Sequence, residues 1–400
     1  MLKRLTTRLA ILLYKIQANF ITHSKDRFNF ALGRDKLIYA EQPGYLPVAK
    51  NIERVAVVAL YPNKNILPFI ANLMDGLVNN GFFVLAVSGK KLSSEISEPL
   101  RAHCHMLLEC FPIGRDFGSY KVGINWIKRQ PYLANMNTLA LANDSLYYPQ
   151  HINKSINDLM SLDGNWLGLY ENYQTGRHVQ SFFEIFRGDV LKSMNFKNFW
   201  SSYKPFSSRQ HCIYKGEKGL TKALLSGGFT PSALYSSASL KEEVYKNLNC
   251  DNINTNFYEI LKSSLDFFNI KIYPSYTLSF TDGSYLSYKG KKGKFDCIFS
   301  SEEMKRLYAN QNSENVACLA ERQNPTNALG LLINFLYQAP IKRDICLKGR
   351  QHTFSEILFM CCGFTDFEKE SMQIDLRSRG NIASLVFLSR KWFRFYSNVE

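Results

Sequence analysis

The sequence predicts an α/β chain built on a mostly parallel, Rossmann-like sheet flanked by helices, with an amphipathic helix ahead of it and a mainly helical region behind it. Three observations predict this. Short apolar runs rich in β-branched residues alternate with stretches of helical periodicity, so that each strand is followed by a crossover helix. The runs are continuous rather than alternating, as expected for strands covered on both faces. The chain has 400 residues, 46% of them hydrophobic and 14% aromatic, enough for one large domain with a smaller one or two of comparable size.

The elements follow in order. Leu2, Leu5, Leu9, Leu12, Leu13, Ile16 and Phe20 recur at three- and four-residue steps and share one helical face, with Lys3, Arg4, Arg8 and Lys15 off that stripe. From Met1 to Arg34 there are seven Lys or Arg and one acid, Asp26. That pattern suits an interfacial helix on anionic lipid; the alternative is a helix packed on the protein's own core. The stretch is too short to span a bilayer and lacks a cleavage site. "VAVVAL" (Val55 to Leu60) is the first strand, stopped by Tyr61-Pro62-Asn63. A helix from about Ile66 to Asn79 closes at Asn80-Gly81, "FFVLAVSG" is the second strand, and "HMLLEC" a weaker third before Pro112. A helix from about Phe117 to Lys128 precedes the strand "TLALAND". Gly176 to Phe196 reads as a buried aromatic strand and an Asp-initiated helix. Tyr214 to Ser236 places Glu217 at a helix start, with an apolar face through Leu220, Ala223 and Leu224 and an end at Gly227-Gly228.

Lys and Arg exceed the acids by 15, which points to a polyanionic partner such as a nucleotide, nucleic acid or anionic membrane, or to a generally basic surface. No RRM, KH or helix-turn-helix signature appears, which argues against nucleic acid. The nine cysteines have no CxxC spacing and read as reduced, buried thiols. His103-Cys104-His105 alternates faces on a strand and has no second ligand cluster, so it does not read as a zinc clip.

In doubly wound sheets ligands bind beyond the carboxyl ends of the strands. Gly114, Arg115 and Asp116 follow one strand, and Asn143, Asp144 and Ser145 end another. An Asp at a strand end can hold a divalent cation, and the cation a diphosphate. Arg115 is placed to contact phosphate, and Asp116 to hydrogen-bond a base or ribose. The plainer readings are a capping turn for Arg115-Asp116 and an Asx turn for Asp144. At a helix start Glu217 would stay ionised and available as a base, or simply stabilise the helix end.

The order of these parts is similar to the GT-A glycosyltransferases of the inverting family 2 type. It more closely resembles the rhamnan synthesis F family, through "GRDFGSYKVGI", "ANDSLYYP", "HVQSFFEIFR", "GEKGLTKALLSGGF" and "NPTNALGLLINFLYQAPIKRDI", across roughly Val55 to Arg350. The resemblance implies a GT-A-like fold and a nucleotide-sugar donor. Asp144 matches the metal or diphosphate acid, with Mg2+ or Mn2+ as the implied cofactor. Glu217 matches the general base; Tyr61, Gly114, Arg115, Asp116, Asn143 and Ser145 fall on the donor side, and His178 and Gln180 on the acceptor side. Lys342 and Arg343 become anion contacts. The acidic motif reads "NDS" rather than two aspartates around one residue, and Lys218 stands where a second acid usually does.

The implied reaction is an inverting transfer of a sugar, with rhamnose the family's suggestion, to a lipid-linked or polysaccharide acceptor of a bacterial cell surface. A catalytically silent scaffold is the alternative. The expected division is a basic amphipathic segment (1–45), a catalytic domain (46–250) and an accessory region (251–400). Its basic loop Tyr288 to Phe295 and its basic aromatic tail suit a peripheral protein on the cytoplasmic face of the membrane.

Overall fold

The computed structural model describes residues 21–172, 177–248, 256–257, 260–261, 329–343 and 361–382. The apolar stripe up to Phe20, the basic loop at 288–295, the helix start at 324–328 and the tail at 389–400 lie outside the described residues.

One nine-stranded sheet organises the chain. Strands β1 (Ile38–Pro43), β2 (Arg54–Leu60), β3 (Phe83–Ser88), β4 (Met106–Cys110) and β5 (Thr138–Asn143) form one half. β7 (Trp166–Asn172), β8 (His178–Val179), β9 (Phe183–Arg187) and β10 (Ser232–Tyr235) form the other. The order is β1-β4-β3-β2-β5-β9-β7-β10, with β8 paired to β7. The expected parallel block is β4-β3-β2-β5, and β7-β10 is parallel too. Beyond the block the sheet is mixed, because β1 runs against β4 and β9 runs against both β5 and β7. This is the α/β architecture the sequence pointed to, a sheet flanked by helices, though mixed and not mostly parallel over its whole width.

The continuous apolar runs are explained by two cores. Along β2, Ala56, Val58 and Leu60 face one cluster while Val55, Val57 and Ala59 face the other, and none of the six is exposed. Each of the valine and leucine side chains contributes about 1.5–3 kcal/mol by leaving water. Helices α2 (Leu67–Asn79) and α5 (Ile152–Ser161) cover the first face. On the second, α4 (Arg115–Ile127) lies so close to β2 that a Cβ at Gly123 would come within 2.5 Å of Val57 Cγ1. α7 (Met194–Ser202) and α9 (Lys218–Ser226) complete that layer through Trp200, Leu220 and Leu224.

The elements not read from the sequence include β1, α3 (Ser94–Arg101), α5 and β7. β1 has half-buried residues alternating with exposed ones and ends in Pro43, as edge strands do. It belongs to the sheet, so the division expected near residue 45 falls just behind a sheet strand. α3 carries Pro99 inside only eight residues, too short a stretch to show a helical period. The described part of the later chain packs onto the same core: Leu332 of α11 (Leu329–Tyr337) and Met372 of α12 (Asp366–Ile382) join the first cluster. β11 (Ile341–Lys342) pairs antiparallel with β6 (Leu146–Tyr147).

Residues 21–31 form helix α1. Its buried Asp26 accepts hydrogen bonds from Ser207 N at 2.7 Å and Ser207 Oγ at 3.1 Å, while Ile21, Phe28 and Leu32 are more than half exposed. No helix among the described residues is long and apolar enough to cross a membrane.

Candidate functional site

A cleft of about 940 Å3 opens at the carboxyl ends of β2 and β5. It gathers Tyr61, Arg115, Asp116, Asn143, Asp144, Ser145, His178, Gln180, Glu217, Lys342 and Arg343, which the sequence had spread over 283 positions. Gly114 is the exception. It sits at φ +80 as the N-cap of α4, its N–H donates to Ser207 Oγ, and a Cβ there would meet Pro205 Cβ at 2.1 Å. Its part is to turn the chain so that Arg115 faces the cleft. Arg115 itself has φ +52, a left-handed conformation that costs a non-glycine residue about 1–2 kcal/mol. α4 therefore begins at Arg115, two residues before the expected Phe117.

The end of β5 is tightly specified. Asp144 Oδ2 accepts the Tyr61 N–H at 2.7 Å, and the Asp144 carbonyl accepts Arg343 Nη1 at 3.0 Å. Asn143 Nδ2 donates to Asp116 Oδ2 and Tyr120 Oη, both at 3.1 Å, and Asn143 Oδ1 accepts Ser145 N–H. Burial pushes the Asp116 carboxyl above the usual aspartate range, and the charges of Arg115 and Lys342 oppose that. Lys342 Nζ lies 2.6 Å from Ser145 Oγ.

Arg343 corrects an expectation. It is not an open anion contact: Nε and Nη2 bind both oxygens of Asp375 at 2.9–3.1 Å, Asp375 is fully buried, and Tyr147 Oη donates to the same carboxylate at 2.7 Å. Arg343 ties α12 to the backbone of Asp144.

Glu217 corrects another. The helix starts at Ser208, whose hydroxyl caps His211 N, and runs through Arg209–His211 and a π-helical turn, Cys212–Glu217, directly into α9. Glu217 thus ends a π turn inside a continuous helix and has no free helix start beneath it; such turns concentrate at functional sites. Its charge is held by hydrogen-bond donors from the HVQS stretch instead of a helix dipole. Oε1 receives His178 Nε2 at 3.0 Å, and Oε2 receives Ser181 N at 3.0 Å and Ser181 Oγ at 2.8 Å. Burial alone would push its carboxyl up, but these donors and the histidine charge outweigh it and hold it below the usual glutamate value. His178 and Gln180 are buried and are Glu217's companions, Gln180 Nε2 being 3.4 Å from Oε1.

Sequence reasoning missed Ser181 and Arg209, both on the cleft wall. The polar Ser181 after "HVQ", where the chain turns back into β9, and Arg209 just after a Ser cap were the available signals. It also missed Glu184 on β9, which accepts Trp166 Nε1–H at 3.0 Å and whose carboxyl burial pushes up to about 8.

The residues present do not fit a protein-built divalent-cation site. Among the described residues no group of three or more His, Cys, Asp or Glu side chains is arranged to hold a metal ion. The strand end offers the single carboxylate of Asp144, and the hydroxyl beside it meets an ammonium. What the arrangement can do is bind an anion among Arg115, Arg209 and Lys342, and present an ionised carboxylate in the same cleft.

Comparison with known proteins gives three findings. The family model described as rhamnan synthesis protein F matches residues 84–288. A curated protein of Sinorhizobium fredii, named uncharacterized protein y4gN, is 25% identical over 215 residues, covering 52% of this chain and 55% of that one. The chain thus matches about half the length of that relative. Among solved structures, the glycosyltransferase GlyE of Streptococcus pneumoniae aligns at 12% identity and TM-score 0.31, over 67% of this chain and 63% of that one. The mannosyltransferase PcManGT of Pyrobaculum calidifontis, in complex with GDP-Man and Mn2+, aligns at 9% identity and TM-score 0.30, over 98% and 94%.

Proposed function

The chain belongs to the rhamnan synthesis protein F family, and from that premise we propose that it is a glycosyltransferase. It takes a sugar, rhamnose in this reading, from a nucleotide-sugar donor to a lipid-linked or polysaccharide acceptor during synthesis of a bacterial cell-surface polysaccharide. The observation that carries the reading is one cleft that gathers the basic side chains of Arg115, Arg209 and Lys342 with an ionised, hydrogen-bonded Glu217.

In this mechanism the donor diphosphate lies on the basic wall at the end of β5, with Asp116 and Asn143 toward the nucleoside. The acceptor hydroxyl approaches Glu217 beside His178. Its oxygen forms the new bond to the anomeric carbon, its proton passes to a Glu217 oxygen, and the bond to the diphosphate breaks with inversion. The leaving group departs with its bonding electrons, and the basic side chains compensate the growing charge. His178 and Ser181 orient the carboxylate. No step here passes through a metal.

The same reading puts the protein on the inner face of the cytoplasmic membrane. Support comes from α1 and the turn after it, where exposed Ile21, Phe28 and Leu32 lie among Lys25 and Arg27 and continue the sequence stripe that reaches Phe20. Cosedimentation with anionic but not neutral vesicles, weakened by Phe28→Asp, is the expected result; equal binding to both refutes the lipid contact.

The donor site is tested by thermal shift against UDP-, GDP-, dTDP- and CMP-sugars, because a ligand bound only by the folded chain raises Tm. One nucleotide should stabilise the protein, and Asp144→Ala should abolish the shift. No shift with any of them rejects the transferase reading.

A further inference from the structure

The one carboxylate at the end of β5 has an unusual neighbour. Ser145 Oγ, next along the chain from Asp144, accepts a hydrogen bond from Lys342 Nζ at 2.6 Å. The ammonium is held there by more than that bond. β11 pairs with β6 so that Lys342 lies opposite Leu146, Arg343 N donates to Ser145 O at 3.1 Å, and the Phe182 ring centre is 4.5 Å from Nζ. A cation over an aromatic face is attracted by the ring quadrupole, which fixes its position. Arg343, the next residue, is fully engaged with Asp375 and the Asp144 carbonyl, so it anchors the ribbon and leaves Lys342 to face the cleft.

A positive charge is therefore built into the strand end, where a divalent ion would otherwise have to be brought. The strand end itself offers that ion only the Asp144 carboxylate, Asp116 being engaged by Asn143 Nδ2, and the ammonium alongside repels it. Lysine is a competent phosphate binder as a point charge. Resting on the donor-site reading above, we propose that Lys342 is the resident cation of this site, compensating the diphosphate of the nucleotide so that donor binding needs no divalent ion. Arg115 and Arg209, on the same cleft wall, supply the remaining charge.

The test is titration calorimetry of the full chain with UDP, GDP and dTDP, in EDTA and again in MgCl2 or MnCl2. The expected result is that one nucleotide binds equally well in EDTA and with metal, and that Lys342→Ala weakens it by about tenfold to a hundredfold, the loss of one charge-assisted hydrogen bond. Lys342→Arg should recover part of the affinity. Should Lys342→Ala fold poorly, Lys342→Met keeps an apolar chain of similar length without the charge and must show the same loss. Binding that requires Mg2+ or Mn2+, or that is unchanged by Lys342→Ala and Lys342→Met, overturns the proposal. A wild type that binds none of the three in either condition overturns the donor-site reading first, and this inference with it.

Discussion

Replacing Asp375 by Ala should destabilise the protein strongly, because the carboxylate behind the cleft holds Arg343 and Asn63 of its lining. The carboxylate is 0% exposed and Arg343 is 8% exposed. The substitution removes three charge-assisted bonds to Arg343 at 2.9–3.1 Å, the acceptor of Tyr147 Oη and a 3.3 Å bond from Asn63 Nδ2. A buried pair broken from one side typically costs about 3–5 kcal/mol, because the surviving charge stays desolvated. The deleted bonds act as one network, so their energies do not simply add. We expect a loss of about 3–5 kcal/mol for Asp375→Ala, and a smaller one for Asp375→Asn, which keeps one acceptor oxygen. Urea denaturation with an unchanged m value measures it. The double change Asp375→Leu with Arg343→Met should restore most of the stability, since no buried charge remains. It should not restore nucleotide affinity, because the Asp144 carbonyl still lacks its guanidinium. A loss under about 1 kcal/mol for Asp375→Ala, the scale of a surface pair, refutes the reasoning.

Other outcomes follow from the same geometry. Glu217→Gln should lower transfer by about 10²–10⁴-fold with nucleotide affinity unchanged, and a variant that still turns over normally removes Glu217 as base. Because its folded carboxyl titrates below the ordinary value, the stability from its His178 and Ser181 bonds is fully present above that value and is lost only as pH falls through the lower, folded one. Glu184 behaves oppositely: raised to about 8, it stays protonated in the fold while the unfolded chain ionises, so stability drains away as pH climbs from the ordinary glutamate value toward 8. Glu184→Gln keeps the Trp166 acceptor and should flatten that slope, which is about 1.4 kcal/mol per pH unit; identical slopes in both proteins would contradict the assignment. Arg115→Gly should raise stability by roughly 0.5–1 kcal/mol in a denaturation series while weakening nucleotide binding, and a destabilised variant would show that φ +52 carries no strain.

How much of this was legible depended on whether a contact is local. β2, β3 and β5 were readable because burial on both faces leaves an uninterrupted apolar run. The place of Asn143 to Ser145 on a cleft was readable because clefts open beyond the carboxyl ends of a parallel sheet. The π turn was not, since a one-residue excess in a helix leaves no compositional mark, and Glu217 was therefore set at a helix start. The partner of Arg343 was invisible for a different reason. Asp375 is 32 residues further on, on α12, and a lone Asp among the alternating charges of "DFEKESMQIDLRSRG" carries no sign that it is buried. The antiparallel return of β9 was hidden too, because its aromatic run looks the same in either direction.

The bond from Arg343 to the Asp144 carbonyl joins positions 199 apart. During synthesis, the strand that ends at Asp144 is made long before the arginine that steadies it, and Asp375 comes later still. The sheet can assemble while the nascent chain is short, but its ligand-facing end stays unclamped until that distant stretch has emerged and docked. A ribosome-stalled or truncated product stopping before residue 341 would carry Asp144 and Glu217 and still lack the lysine and the clamp.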